Sequence, residues 1–165
     1  MTKPVLLFGY GNLSRGDDAL GPLLLEFIER NMDLSTIEIL DDFQLQIEHA
    51  LDLQGRQRVL FVDAAVNQEQ AFVFSRLSPC KDESYSSHAL SPTAVLHVYQ
   101  SITGQTPPPA FLLSIQGVAF ELGEALSVQA QANLQQACRF SEQLLKQNDL
   151  LDWLRQVEYA RNIAA

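Results

Sequence analysis

Cysteine is scarce in this chain of 165 residues: there are two, Cys80 and Cys138, far apart and in no C-x-x-C pair. That pattern excludes a disulfide framework and a zinc-thiolate site, and both are expected to be plain thiols. Positive charge is also short, with 11 Lys and Arg against 20 Asp and Glu, a formal net charge of -9. A surface of that sign repels phosphates, which argues against a nucleic-acid partner and favours a basic partner surface. No apolar run approaches the ~20 residues of a membrane span, and no basic segment followed by a secretory apolar stretch opens the chain. A cytoplasmic protein with no membrane partner is expected. Internal repeats are absent, and the only biased stretch is Pro107-Pro-Pro109.

What remains is an ordinary globular composition, 47% hydrophobic and 19% charged. It suits a single domain over 1–165 that buries roughly two-thirds of its unfolded surface in one core. Val5 to Phe8 form a short apolar run that Gly9-Tyr-Gly-Asn12 close with turn residues, which predicts a buried strand and a tight loop. Leu20, Leu23, Leu24, Phe27 and Ile28 then recur at helical spacing. Ile37-Glu-Ile-Leu40 is a second strand candidate, ended by Asp41-Asp42, and Phe43 to Leu53 a helix or turn-helix. Arg58 to Ala65 is a fully apolar run that ends on Asp63, typical of a parallel strand covered on both faces. Ala71 to Phe74 reads as a fourth strand, and Ser78 to Ser87 as a loop that delivers His88 to the start of a helix. Ser91 and Pro92 supply that helix's N-cap and first-turn proline. Ala110 to Ile115 is a fifth strand, Ser127 to Lys146 a terminal helix, and Leu150 to Tyr159 its extension or companion. The alternation predicts an α/β three-layer sandwich: a mostly parallel five-stranded sheet with helices on both faces.

Chemistry concentrates between the first strand and the first helix. One acid suits the helix cap there, and Asp17 alone reads as such a cap. Two adjacent acids, Asp17 and Asp18, are more than a cap requires, and they lie where an open α/β sheet normally places its ligand. Gly9-x-Gly11 is a weak dinucleotide signal, because the third glycine of G-x-G-x-x-G would fall at Ser14 and two acids stand where a pyrophosphate should dock. A better constellation is Asp17 or Asp18, Asp63 at the end of the third strand, and His88 in a later loop. In a parallel sheet such strand-end residues emerge on one edge, and two carboxylates with an imidazole form a plausible first shell for zinc, nickel or another divalent ion. Taken singly, Asp63 is equally a strand-end turn residue and His88 a solvated loop histidine. His49 and His97, in helical or turn segments without a placed acidic neighbour, read as structural or exposed. Gly16 and Gly21 read as positions of backbone geometry or close packing.

The stretch Phe8-Gly-Tyr-Gly-Asn-Leu-Ser-Arg-Gly-Asp-Asp-Ala-Leu-Gly21, with Phe61-Val-Asp-Ala-Ala65 and Ser87-His-Ala-Leu-Ser-Pro92, resembles the hydrogenase maturation proteases, nickel-dependent endopeptidases that trim the large subunit of nickel-iron hydrogenases. The similarity runs over nearly the whole chain. Asp42-Phe-Gln-Leu-Gln-Ile-Glu-His-Ala-Leu-Asp52 more narrowly resembles the branch serving bidirectional, NAD-reducing hydrogenases. The resemblance implies that Asp18, Asp63 and His88 coordinate a metal. Two departures stand out. Many members carry Asp-Gly-Gly-Thr after the second strand where this chain has Asp41-Asp-Phe-Gln-Leu, so that Gln44 and Gln46 become candidate substrate contacts. The second acid of the first motif is often Glu, and the shorter Asp18 would place the metal slightly differently.

The expected function is therefore an endopeptidase, of aspartyl or metal-dependent type, that removes a C-terminal extension from the nickel-loaded large-subunit precursor. Asp17, Asp18 and Asp63 are the expected catalytic residues, with Asp17 as candidate base. Nickel, the implied cofactor, is expected to arrive with the substrate and not to be held permanently, so that cleavage checks for its presence. The rival readings are a non-catalytic metal-sensing module that binds the large subunit, and a small-ligand-binding α/β protein. No serine nucleophile elbow or Cys-His pair is present to support independent catalysis of another kind.

Overall fold

In a computed structural model, which describes residues 1–81 and 90–164, the apolar runs become the centre of one sheet. Its strands are β1 (Val5–Tyr10), β2 (Ile37–Asp42), β3 (Arg58–Ala65), β4 (Phe72–Leu77) and β5 (Ala110–Gln116), in the order β2-β1-β3-β5-β4. The first four in that order are parallel; β4 joins the far edge antiparallel to β5. Helices α1 (Leu20–Asn31), α2 (Pro92–Thr103), α3 (Val128–Leu145) and α4 (Leu150–Ala164) and a 3-10 helix over Ile47–Leu53 cover the two faces. The expected three-layer sandwich is the observed one.

Strand alternation sorts the core into its two halves, because successive side chains point to opposite faces. Val5 and Leu7 of β1, with Leu60 and Val62 of β3 and Leu113 and Ile115 of β5, pack beneath α1, α3 and α4. Leu6 and Phe8, with Val59 and Phe61, pack against α2 and the 3-10 helix. Every second residue of a central strand is thus apolar for a different partner, which is why these runs show no polar alternation. At the amino edge of the sheet the indole of Trp153 is fully buried. It donates from Nε1 to the Leu144 and Gln147 carbonyl oxygens at 3.1 and 3.2 Å, under the Arg58 guanidinium at 4.9 Å.

Ser91 accepts a hydrogen bond from Ala94 N at 3.2 Å with Pro92 in the first turn, and Gly104 ends α2 in the left-handed region at φ 67°. The start is the one read from the sequence, and the stop falls at a glycine just before the proline run. Other boundaries moved. β1 continues through Gly9 and Tyr10, expected in the turn, since both still pair with Asp41 and Asp42 of β2. Asp41 and Asp42 accordingly end β2 as strand residues. The fourth strand starts at Phe72 and runs on to Leu77, held by pairing with β5 across its length. The helix or turn-helix expected over Phe43 to Leu53 is a turn followed by the 3-10 helix over Ile47–Leu53, and α4 is a separate element. Cys80 is exposed and Cys138 buried, and both are free thiols. Among the described residues no helix is long and apolar enough to cross a membrane.

Candidate active site

The carboxyl ends of β1 and β3 are drawn together from above by α1. A Cβ on Gly21, in its first turn, would lie 2.8 Å from the carbonyl oxygens of both Tyr10 and Val62, so only a glycine lets the helix seat this closely on the two strand ends. The loop between β1 and α1 is correspondingly tight. Gly11 adopts φ 147°, donates its N–H to the Asp42 carbonyl at 3.0 Å, and would collide with the Asp18 carbonyl oxygen, 2.0 Å away, if it carried a side chain. The chain then turns through Asn12 to Arg15 into a 3-10 helix, Gly16–Ala19, that runs directly into α1. Neither acid caps α1: its N-cap is Ala19, with no side-chain bond.

Asp17 and Asp18 diverge. Asp17 is completely buried, and its carboxylate ties down the loop after β5. Oδ2 accepts from Val118 N at 2.8 Å, Ala119 N at 2.9 Å and the Ser127 hydroxyl at 2.8 Å, while Oδ1 accepts from Ser127 N at 2.8 Å. Ser127 Oγ in turn accepts from Ala130 N at 3.1 Å as the N-cap of α3, so Asp17 anchors that helix start as well. Burial alone would push the Asp17 pKa up, but the N–H donors of Ser127, Val118 and Ala119 and the Ser127 hydroxyl outweigh it and hold the pKa below the ordinary carboxylate value. A depressed pKa and four occupied acceptor positions are the wrong equipment for a base.

Asp18 is half-buried and accepts from Asn12 N through Oδ2 at 2.7 Å. Its negative charge is felt by Asp63, at the end of β3. Burial is the main cause that raises the Asp63 pKa to about 7. A hydrogen bond from the Tyr10 hydroxyl and one from Ala64 N pull it back, and the charge of Asp18 adds to the rise. Tyr10, in the same contact, is held strongly as the neutral phenol, by burial first and then by the Asp63 charge and the bond it donates. Tyr10 and Asp63 thus share a hydrogen bond at the carboxyl ends of β1 and β3, within the field of Asp18.

The third residue of the expected set, His88, lies outside the described residues. Among those residues no group of three or more His, Cys, Asp and Glu side chains is placed to hold a metal. Asp18 and Asp63 bring hard carboxylate oxygens to this end of the sheet, and the charge of Asp18 adds to the desolvation that already burdens Asp63.

Two features were not read from the sequence. Tyr10 stands opposite Asp63, one step beyond the pairing of Gly9 with Val62; aligning the apolar runs Val5–Phe8 and Val59–Val62 by their ends slips this register by one residue and would have put Gly9 there. His49, read as lacking an acidic neighbour, has one. Its Nε2 is 3.2 Å from Asp42 Oδ2, its Nδ1 accepts from Gln46 N at 2.8 Å, and its ring stands edge-on to Phe8 at 4.6 Å. The acceptor role of Nδ1 places the ring proton on Nε2, facing Asp42. Gln46, a candidate substrate contact, is engaged in the reciprocal cap of the 3-10 helix with His49. Gln44 is half-buried, and His97 lies midway along α2.

No family model and no curated protein sequence matches the chain. Solved structures do. The hydrogenase maturating endopeptidase HybD from E. coli superposes with a TM-score of 0.68 at 23% identity, covering 86% of this chain and 91% of its own. The [NiFe] hydrogenase maturation protease HycI from Thermococcus kodakarensis KOD1 gives 0.66 at 24% identity over 88% and 94%. The hydrogenase 2 maturation peptidase from Thaumarchaeota archaeon SCGC_AB-539-E09 gives 0.63 at 19% over 87% and 98%. The chain has the fold of the hydrogenase maturation proteases, the family its motifs resemble.

Proposed function

We propose that this chain is an endopeptidase that removes a C-terminal extension from the nickel-loaded precursor of a nickel-iron hydrogenase large subunit, in the cytoplasm. The observation that carries the reading is the charge of Asp18 acting on Asp63 at the carboxyl end of β3, the two acids that the motif resemblance assigns to metal coordination. The shared fold supports it. The segment from Asp42 to Asp52 favours the branch serving bidirectional, NAD-reducing hydrogenases.

In this reading Asp18, Asp63 and His88 hold the nickel that the substrate brings. When bound, that ion polarises a carbonyl or a water at the scissile peptide. The chain itself orients the reacting groups. Asn12 N–H fixes the Asp18 carboxylate, and the Tyr10 hydroxyl and Ala64 N–H fix that of Asp63. Partial burial of Asp63 and Tyr10 limits water on one side of Asp63. Asp17 acts as a positioning residue: it holds the loop after β5 and the start of α3 against the turn that carries Asp18. Recognition of nickel already in the precursor makes cleavage a check on metal insertion.

The test is intact-mass spectrometry of the precursor, with and without nickel, incubated with this protein and with its Asp18→Ala, Asp63→Ala and His88→Ala variants. Loss of a C-terminal peptide from the nickel-loaded form alone, abolished in each variant, is the expected result. An unchanged mass in the presence of a stable complex would instead make the protein a binding module.

A further inference from the structure

We infer that the loops beyond β1, β3 and β5 form a rigid apolar docking surface for the folded body of the precursor, distinct from whatever holds the peptide that is cut. The inference rests on the endopeptidase reading and gives its substrate a second point of contact. Four large apolar side chains stand more than half exposed on these loops: Leu13 at 59%, Val66 at 61%, Val118 at 58% and Leu122 at 66%. Two backbone bonds gather them. Gly117 N donates to the Ala65 carbonyl at 2.9 Å, one residue before Val118 and Val66, and Gly123 N donates to the Ser14 carbonyl at 2.7 Å, one residue after Leu122 and Leu13. Large apolar side chains scattered singly over a surface need no explanation, whereas a group of them on adjoining loops marks a place of association.

The loop over 117–127, which carries Val118 and Leu122, has no regular structure but is firmly held. Asp17 takes hydrogen bonds from Val118 N and Ala119 N at its start and from Ser127 N at its end, and returns one from its own N–H to the Ala119 carbonyl at 2.8 Å. Nearer the tip, Gly16 N donates to the Glu124 carbonyl at 3.2 Å. Gly16 adopts φ 53°, and a Cβ on it would lie 2.5 Å from the Ala119 carbonyl oxygen, so the two loops close on each other only because a glycine stands there. Backbone polar groups are thus spent inward while the apolar side chains are left to solvent. A loop ordered in advance loses little conformational freedom when a partner covers it.

Position and charge identify the partner. β3 lies between β1 and β5 in the sheet, so Asp63 at its end is flanked by these loops, and a folded protein that brings a peptide bond to it meets the loops first. Leu122 is bordered by Glu121 and Glu124, both exposed and in no ion pair among the described residues. The complementary surface is therefore apolar at its centre with lysine or arginine at its margin, the usual division of a protein interface into apolar core and polar rim. A second copy of this chain is a poor match, because two molecules of net charge -9 would meet.

The test immobilises the nickel-loaded large-subunit precursor, and a version from which the C-terminal extension has been deleted, and reads binding of this protein by surface plasmon resonance. Val118→Ser and Leu122→Ser are each expected to weaken binding to both forms about tenfold, as the loss of one apolar side chain from an interface warrants. Leu122→Met keeps the apolar contact and should retain the affinity. Leu151→Ser, which removes a leucine 57% exposed at the start of α4, should also bind as wild type does. Equal melting temperatures exclude loss of fold as the cause. Wild-type affinity in Val118→Ser and Leu122→Ser, an equal loss in Leu151→Ser, or loss of all binding when the extension is deleted overturns the inference. The two readings fail separately. Patch-dependent binding of a precursor that is never shortened would refute the endopeptidase and retain the docking surface, whereas cleavage of the precursor with affinity unchanged in the serine variants would refute the docking surface alone.

Discussion

Asp17→Asn separates a structural carboxylate from a catalytic one, and its effect can be worked from the four hydrogen bonds that the side chain accepts. An asparagine keeps one acceptor oxygen. Placed where Oδ2 was, it retains the bonds from Val118 N, Ala119 N and Ser127 Oγ, but its amide nitrogen then faces the Ser127 N–H, donor against donor. One buried orphan donor costs about 2 kcal/mol. The three surviving bonds fall from charged to neutral acceptors, which together costs about 2 kcal/mol more. A loss of about 4 kcal/mol is a large part of the stability of a domain this size and lowers its melting temperature by about 12 °C. Circular dichroism during heating at neutral pH measures it. The pH dependence adds a second check. Because the folded-state pKa lies below the unfolded value of 3.8, the wild-type advantage is fully present above that value and is lost as pH falls through the folded pKa, so the two proteins should converge in acid. A variant that melts within about 2 °C of wild type yet no longer cleaves the precursor would refute this account and return Asp17 to the chemistry.

Asp63 should titrate near pH 7 by carboxyl-carbon NMR, with the midpoint lowered in Asp18→Asn, which removes a repelling charge, and raised in Tyr10→Phe, which removes a donor to the carboxylate. Its folded pKa exceeds its unfolded one, so its contribution to stability is present at low pH and is lost as pH rises through about 7. Asp63→Asn should consequently gain on wild type in melting experiments as pH rises from about 4 to about 7, by at most about 4 kcal/mol, and hold that gain above it. Gly21→Ala places a methyl 2.8 Å from two backbone oxygens, and a destabilisation of about 3 kcal/mol in urea titration is expected as α1 is lifted from the strand ends. His49→Ala removes the reciprocal cap of the 3-10 helix and the ring packed on Phe8, and should lower stability by about 2 kcal/mol in the same assay, with precursor cleavage retained at neutral pH.

The sheet was legible because β1, β3 and β5 are buried on both faces and so appear as unbroken apolar runs, while helix α2 announced itself by Ser91 and Pro92. What was not legible depended on partners distant in sequence. Gly9 and Tyr10 look like turn residues, yet pairing with β2 on one side and packing under Leu25 on the other keep them in the strand: a Cβ on Gly9 would lie 2.7 Å from the Leu25 side chain. The segment after β2 lacked a full helical stripe, and its 3-10 form rests on a cap between Gln46 and His49 that local propensity does not encode. The Asp42–His49 pair escaped notice because the acid ends a strand and the imidazole lies in the following helix, with an intervening loop that folds back over the edge.

The two adjacent acids show how far local reading reaches. Their surplus over what a helix cap needs pointed correctly to a special turn, but not to the division between them. A 3-10 helix turns through about 120° per residue, so neighbours within it cannot point the same way. In Gly16–Ala19 that rotation sends Asp17 into the loop after β5 and leaves Asp18 against Asn12 and within the field of Asp63. The environments then differ in the one respect that governs a carboxylate, the supply of donors. Asp17 receives four and is stabilised as an anion, whereas Asp63, which meets the charge of Asp18, is burdened by desolvation and repulsion that its donors offset only in part. The stable anion builds the frame, and the desolvated carboxylate stands at the strand end beside the turn which that frame supports.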